Sequence, residues 1–423
     1  MLEVSQLKSS KEEIIARLKV RNFDGEKLID KVLELDGRRK STQGELDEIL
    51  YQINTSSKEI GEFFKAGKTE EANKLKGNIP TLKDNSKELG DKLNILEGEI
   101  RSILLEIPNC PHELVPAGET SKDNDIIDEH GSVPGLGKDA KPHWDLAAQY
   151  DIIDFELGSK ITGSGFPVYK GKGARYQRAL INFFLDKATE SGYQEIQPPV
   201  LINEDSGYGT GQLPDKEGQM YHVGIDNLYL SPTAEVPLTN LYRDTILNPE
   251  ELPVKITAYT PCFRREAGSY GKDVKGLNRL HQFDKVEIVE IRDPGQSYQA
   301  LEEMVEYVAG LLKELELPFR IARLCGGDIG FTSAMTYDME VYSAAQQRWL
   351  EVSSISNFET FQANRLKLRF KNKEGKNQLV HTLNGSALAL PRILAALLEN
   401  NQCPEGIKIP KALVPYTGFD VLN

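Results

Sequence analysis

Between residues 28 and 103 the apolar side chains keep a spacing that few folds can use. Leu28, Val32, Leu35, Leu46, Ile49, Ile53, Ile60 and Phe63 step by fours and threes, with Arg39, Thr42 and Ser56 filling the missing positions. A second run, Leu75, Ile79, Leu82, Leu89, Leu93, Leu96, Ile100 and Ile103, repeats the step, with Ser86 as its polar member. Apolar residues recurring about every 3.5 positions make a seam that stays on one side of a helix only if a second helix winds around it. The segment KAGKTEE at 65–71 separates the runs. Gly67 can take the positive φ of a tight reversal there, and Thr69 can cap the helix that follows. One hairpin of two antiparallel helices is the expected result.

A first helix over residues 27–65 would be roughly 55–60 Å long at 1.5 Å per residue, more than a globular core needs, so it should project as an arm. Gly77 and Pro80 fall inside the second helix. An interior proline loses a backbone donor and clashes with the preceding turn at a cost of about 3 kcal/mol, so a kink is expected there. Taken alone, such a hairpin reads as a dimerising coiled coil.

Residues 107–145 are rich in Pro, Gly and Asp without a period and read as a linker. The boundary is therefore expected near Pro108, between an arm over 1–107 and a second domain over 108–423. In that domain helix-like and strand-like segments do not alternate regularly, and long alternating runs occupy Val254–Phe263 and 282–291. An α+β fold on an antiparallel sheet flanked by helices follows.

With 51 Lys+Arg against 64 Asp+Glu, a net charge of -13, the chain cannot coat nucleic acid through a uniformly basic surface. Any such contact needs local patches, of which Arg38, Arg39 and Lys40, and Lys58, Lys65 and Lys68 toward the hairpin tip, are candidates. No apolar run is long enough to span a membrane, and the N-terminus lacks the apolar stretch of a secretion signal, so a cytoplasmic protein is expected. Cys110, Cys262, Cys325 and Cys403 lie far apart without a CxxC pair, so neither a disulfide framework nor a cysteine zinc site is expected.

The phosphate-loop pattern GxxxxGK[ST], the dinucleotide pattern GxGxxG and the metalloprotease pattern HExxH are all absent; GKGARY at 171–176 lacks the third glycine. Residues 256–291, ITAYTPCFRREAGSYGKDVKGLNRLHQFDKVEIVEI, instead set two alternating strands about a loop dense in glycine and cations. Arg264 and Glu266 share a strand face by parity, while Arg279, His281, Phe283 and Glu287 return on the second strand. An arginine fork suits a phosphate or carboxylate, and an aromatic ring beside it offers a base a stacking face. A charged hairpin with cross-strand ion pairs is the plain alternative.

These residues resemble motif 2 of the class II aminoacyl-tRNA synthetases, in its seryl-tRNA synthetase form, on FRREAGSYG with HQFDKVE. The resemblance runs through nearly the whole chain. ARYQRALINFFLDKATESGYQEIQPPVL is similar to motif 1, with Pro199 at its proline, and this implies a homodimer interface. LVHTLNGSALALPRILAALLEN is similar to motif 3, with Arg392 at its arginine. GTGQLP at 209, SPTAEVPLTN at 231 and EVSSISN at 351 resemble the seryl members in particular. The hairpin matches the arm with which that family grips the long variable arm of tRNA-Ser. Gly165, in GSGFPVY, departs from the family, which often has arginine there.

The resemblance implies a catalytic set of Arg264, Glu266 and Arg392: Arg264 on the α-phosphate of ATP and the serine carboxylate, Glu266 on the adenine amino group, Arg392 on the γ-phosphate. Arg265, Arg279, Val352 and Ser353 join the ATP-binding set, and Phe283 would stack on adenine unless it faces the core. Glu351 and Ser354 would hold magnesium between the phosphates, a hard cation that prefers oxygen donors. Thr233, Ala234 and Glu235 match the tripeptide that contacts serine, although Ser231 and Pro232 before them also read as a helix start. Glu287 and Ser386, with Asn384, would surround the serine ammonium and hydroxyl. The implied activity is activation of L-serine by ATP and its transfer to tRNA-Ser, with selenocysteine tRNA as a second acceptor.

Two other readings stay open on sequence alone. A synthetase-like paralogue would activate an amino acid for a carrier other than tRNA, and such proteins often lack the hairpin. A non-enzymatic coiled-coil scaffold would have no use for Arg264, Glu266, Glu351 and Arg392 together.

Overall fold

The computed structural model describes residues 1–137, 140–266 and 275–423, which separate into two units: Met1–Lys19 with Phe23–Pro108, and Val20–Asn22 with Asn109–Asn423. The first unit is built on α1 (Glu26–Lys65) and α2 (Thr69–Leu104), packed on one another along the seam. Ile29, Val32, Leu35, Leu96, Ile100 and Leu104 are buried at the base of the hairpin. Farther out the seam residues Leu46, Ile49, Ile53, Leu82 and Leu89 are half-buried, as two helices without a third layer must leave them. The polar members Arg39, Ser56 and Ser86 are half-buried too, and Thr42 is buried.

Gly67 reverses the chain with φ 75°. Thr69 does not cap α2: it is the first helical residue, behind Lys68, whose side chain makes no capping bond. Helix α2 runs unbroken through Gly77 and Pro80, both exposed, where the lost backbone bond falls on the side open to water.

The second unit is organised by an eight-stranded sheet of β1 (Asp125–His130), β2 (Gln194–Glu195), β3 (Val254–Phe263), β4 (Gln282–Arg292), β5 (Phe319–Arg323), β6 (Met335–Ser343), β7 (Arg348–Asn357) and β8 (His381–Ala389). Their order is β1-β5-β6-β7-β8-β4-β3-β2, antiparallel throughout except for the β2–β3 edge pair. Strand β4 is buried along most of its length, as a central strand covered on both faces must be.

One face carries Val286, Ile288, Leu383, Ala387, Ile355, Met335, Tyr337 and Met339 into a core shared with α3 (Gly171–Glu190), α4 (Ser297–Glu314) and α5 (Leu390–Asn400). Helix α3 contributes Tyr176, Leu180, Phe183 and Phe184 to that core, the apolar stripe of an amphipathic helix. Strand alternation then turns the other residues of the central strands, polar ones among them, to the opposite face.

Candidate active site

Register fixes what stands together on that second face. Glu287 of β4 pairs with Ser386 of β8; Asn384 of β8 pairs with Ser356 of β7; Asp338 of β6 pairs with Ser354 of β7. With Phe283 and Lys285 these residues form one polar row across the middle of the sheet.

The row has three clusters. In the first, Arg264 follows β3, its backbone amide bonded to the His281 carbonyl at 2.9 Å and its guanidinium 5.3 Å from the centre of the Phe283 ring. Its Nε donates to the Pro232 carbonyl at 3.4 Å. Glu266, at φ 49°, ion-pairs with Arg279 across the hairpin, and the Arg265 amide donates to the Gln219 carbonyl at 2.8 Å. Residues 267–274 of the loop lie outside the described residues. Gly165 is accounted for here. It sits at φ 84° and accepts from the His281 amide at 2.9 Å, and a Cβ on it would lie 2.4 Å from the His281 ring. An arginine cannot stand at this position with His281 where it is.

The second cluster is buried. Lys285 ion-pairs with Glu287, and both reach Thr233: Lys285 Nζ donates to Thr233 Oγ1 at 2.8 Å, and Thr233 Oγ1 donates to Glu287 Oε2 at 2.9 Å. Glu235 lies beside them, with no ion pair of its own among the described residues. Its Oε1 accepts from Gln362 Nε2 at 2.7 Å, while Gln362 Oε1 accepts from Thr382 Oγ1 at 2.7 Å. Burial, and then repulsion from Glu287, push the Glu235 carboxyl up to about 7 from the ordinary 4.5, with Gln362, Lys285 and Arg264 only partly compensating. Asn384 and Ser386 are nearly covered.

The third cluster lines a cavity of about 570 Å³ whose wall includes Thr336, Asp338, Glu340, Glu351, Ser354 and Ser356. Glu351 and Ser354 lie three residues apart and would face opposite sides of a regular strand. They share this wall because β7 bulges: Met339 pairs with Ser353 and Glu340 with Glu351, so Val352 is an extra residue. Ser354 Oγ donates to Asp338 Oδ1 at 2.6 Å. Burial and the neighbouring Glu351 hold the Asp338 carboxyl well above its ordinary range. Arg392, in the first turn of α5, closes the cluster, donating to the Glu351 carbonyl at 2.6 Å and to the Asn278 carbonyl at 3.2 Å, with Glu351 Oε2 at 3.6 Å.

Residues 1–111 match the seryl-tRNA synthetase N-terminal domain, and residues 221–401 the class II tRNA synthetase core domain of the G, H, P, S and T enzymes. A serine–tRNA ligase of Salinibacter ruber is 48% identical over 99% of this chain and 98% of its own length; one of Akkermansia muciniphila is 46% identical over 100% and 99%. The chain belongs to the seryl-tRNA synthetase family. A crystal structure of the seryl-tRNA synthetase of Pyrococcus horikoshii complexed with ATP has a TM-score of 0.90 at 32% identity, covering 99% of both chains. The membership makes the chain a serine–tRNA ligase by class, and no helix among the described residues is long and apolar enough to cross a membrane.

Most residues singled out in the sequence on the family's motifs converge on the polar face, with instructive exceptions. Ala234 is fully buried in a small apolar cluster with Leu238, Ile256, Ala258 and Val289, on the sheet face that carries Glu287 but among apolar side chains. Val352 is in the core and Ser353 Oγ donates to the Ser386 carbonyl at 2.6 Å, so neither side chain enters the cavity. Phe283 is partly buried against the core while the Arg264 guanidinium lies over its ring, which joins the two readings of that residue. Sequence reasoning missed Lys285, Gln362 and Asp338. Lys285 carries a signal, two residues before Glu287 and hence on its strand face; Asp338 and Gln362 come from segments that nothing local ties to the motifs.

Proposed function

We propose that this chain activates L-serine with ATP to seryl-adenylate, releasing pyrophosphate, and then transfers serine to the 3' end of tRNA-Ser, releasing AMP. What supports the reading is the single row in which the Arg264–Phe283 pair, the Lys285–Glu287–Thr233 cluster and the Glu351–Ser354–Arg392 cluster stand on one sheet face. Its parts have the chemistry that the three pieces of the reaction require: an arginine with an aromatic ring for a nucleotide, carboxylates with a hydroxyl for an amino alcohol, and an arginine beside an acidic wall for a polyphosphate.

The serine carboxylate is already a nucleophile, so the first step needs positioning and charge neutralisation rather than an acid or base. Arg264 holds the serine carboxylate against the α-phosphate, with Glu266 and Arg279 on the adenine and Arg265 beside them; the carboxylate oxygen attacks phosphorus and pyrophosphate leaves toward Arg392. Thr233, Glu235, Glu287, Asn384 and Ser386 take the ammonium and hydroxyl. Alanine would leave those buried polar groups unpaired, and rejection of the unsubstituted analogue follows.

Magnesium fits the residues present. Ser354 and Glu351 offer oxygen donors, and burial beside Glu351 disfavours the charged form of the Asp338 carboxyl, a cost that a divalent ion would relieve. Bound with the phosphates by Glu351 and Ser354, it would neutralise charge on the departing pyrophosphate.

The arm over 1–107 is the tRNA-binding element and 108–423 the catalytic domain; the protein works in the cytoplasm as a homodimer through the motif 1 segment, and selenocysteine tRNA is a further acceptor where it exists. Serine-dependent ATP–pyrophosphate exchange on the purified chain, with alanine and threonine as controls and then with tRNA-Ser added, tests the proposal. Exchange with charging supports it. Exchange without charging would make the chain a carrier-type ligase, and no exchange would overturn the assignment of the row.

A further inference from the structure

Residues 275–277 are held by a device that no motif contains. His143 opens the helix His143–Gln149 and is fully buried. Its Nε2 accepts from the Leu277 backbone amide at 2.8 Å. An amide can only donate, so Nε2 carries the lone pair and the ring proton sits on Nδ1, where Glu399 Oε1 receives it at 2.6 Å. Gly276, at φ 68°, leaves the room: a Cβ there would lie 2.2 Å from His143 Nε2. Trp144, the next residue, places its ring 4.6 Å from Lys275 Nζ. Residues 275–277 are thus gripped by two successive side chains of one short helix.

The grip extends to Arg392. Glu399, fully buried, also accepts from Ser343 Oγ and from Gln346 Nε2 at 2.9 Å, and Gln346 Oε1 accepts from Asn278 Nδ2 at 3.0 Å. Glu399 and Arg392 lie two turns apart on α5, and Arg392 donates to the Asn278 carbonyl. The contacts therefore close a ring: Leu277 amide, His143, Glu399, the length of α5, Arg392, Asn278. All of its members touch the hairpin that bears Arg279 and Phe283 or the helix that bears Arg392, and none lies in the serine cluster.

We propose that His143 is a positioning residue for the adenylation step, acting through the Leu277 amide and Glu399 to hold the returning arm of the nucleotide hairpin in register with Arg392. The role rests on the synthetase reading above and concerns the ATP half of the site alone. A neutral ring with a fixed tautomer suits it, since a second proton would leave Nε2 and the Leu277 amide facing each other as two donors.

The test is a KM split. His143→Ala should raise the KM for ATP in pyrophosphate exchange about tenfold and leave the KM for serine within about twofold. His143→Gln should recover most of the loss, because its amide can both accept from Leu277 and donate to Glu399. Equal rises in both KM values, or no rise in either, would overturn the proposal, since a role in general stability would not favour one substrate. If His143→Ala does not fold, Trp144→Leu decides: it creates no buried orphan, and it should raise the ATP KM about threefold, an unchanged value refuting the idea. Calorimetric ATP binding on the same variants reads the proposal independently of exchange. A wild-type chain without serine-dependent exchange would defeat the synthetase reading, while its ATP affinity would still judge His143.

Discussion

Glu235→Gln should separate stability from serine binding, because the carboxyl it replaces is buried and, among the described residues, carries no salt bridge. A rise from 4.5 to about 7 means that the folded protein holds this proton more tightly than the unfolded chain does. At about 1.4 kcal/mol per tenfold change in acidity, ionising Glu235 in the folded state costs roughly 3 kcal/mol. The sign follows from proton linkage: between pH 4.5 and 7 the folded state binds more protons, so stability from this group is complete below the lower value and lost as pH rises through the upper one. Glutamine keeps an oxygen for the Gln362 amide and has no proton to lose.

The variant should therefore gain on wild type by up to about 3 kcal/mol between pH 5 and pH 8, read from urea unfolding at the two values. Serine reverses the balance. On the proposed reading its ammonium would enter a pocket with two carboxylates, of which Glu287 is already paired with Lys285, so Glu235 would be left to answer it. For wild type the serine KM should rise toward tenfold per pH unit below about pH 7, while the ATP KM stays level. The variant should show a flat profile and a serine KM on the order of 10–100-fold higher at pH 8, the loss of one charge-assisted bond. A wild-type serine KM that does not change between pH 6 and 8, or a variant whose stability tracks wild type at both pH values, would refute the reasoning.

Two further outcomes are expected. Asp338→Asn takes away a carboxyl that a divalent ion beside Ser354 would draw into its charged form, and magnesium titration of the exchange reaction should show a several-fold higher half-saturation; an unchanged midpoint would detach Asp338 from the metal. On the arm, Arg39 and Lys40 are tied to Asp36 at 2.9 Å and 2.5 Å, whereas Arg38 is exposed, so Arg38→Glu is the cleaner reversal. It should weaken charging of tRNA-Ser and spare pyrophosphate exchange, and equal loss of both would count against the arm as the tRNA contact.

The helical hairpin was legible because its cause is local: a seam every three or four residues and a glycine able to take φ 75° at the turn. Strands β3 and β4 were legible for the same reason, since alternation is written along each of them. Thr69 failed as a cap because good capping chemistry does not say which residue the helix begins on. Family motifs located Arg264, Glu287, Glu351 and Arg392, but not what surrounds them. Lys285, Gln362, Asp338 and the His143–Glu399 pair depend on which distant strand or helix lies beside which, and that is decided by the packing of the whole second unit. Ala234 and Val352 show the converse: a motif names the position, but each side chain packs among apolar neighbours, so only the backbone there is open to a ligand.

The extra residue at Val352 turns a half-step of phase into chemistry. A strand is a two-beat lattice, and Glu351 and Ser354 fall on opposite beats until the bulge delays one of them. Substitution can exchange either side chain and leave the rhythm intact, but deletion of Val352 would restore the beat and send one of these two side chains to the far side of the sheet. This stretch should tolerate changes of letter far better than changes of length, and a single codon lost there should cost more than any one replacement in it.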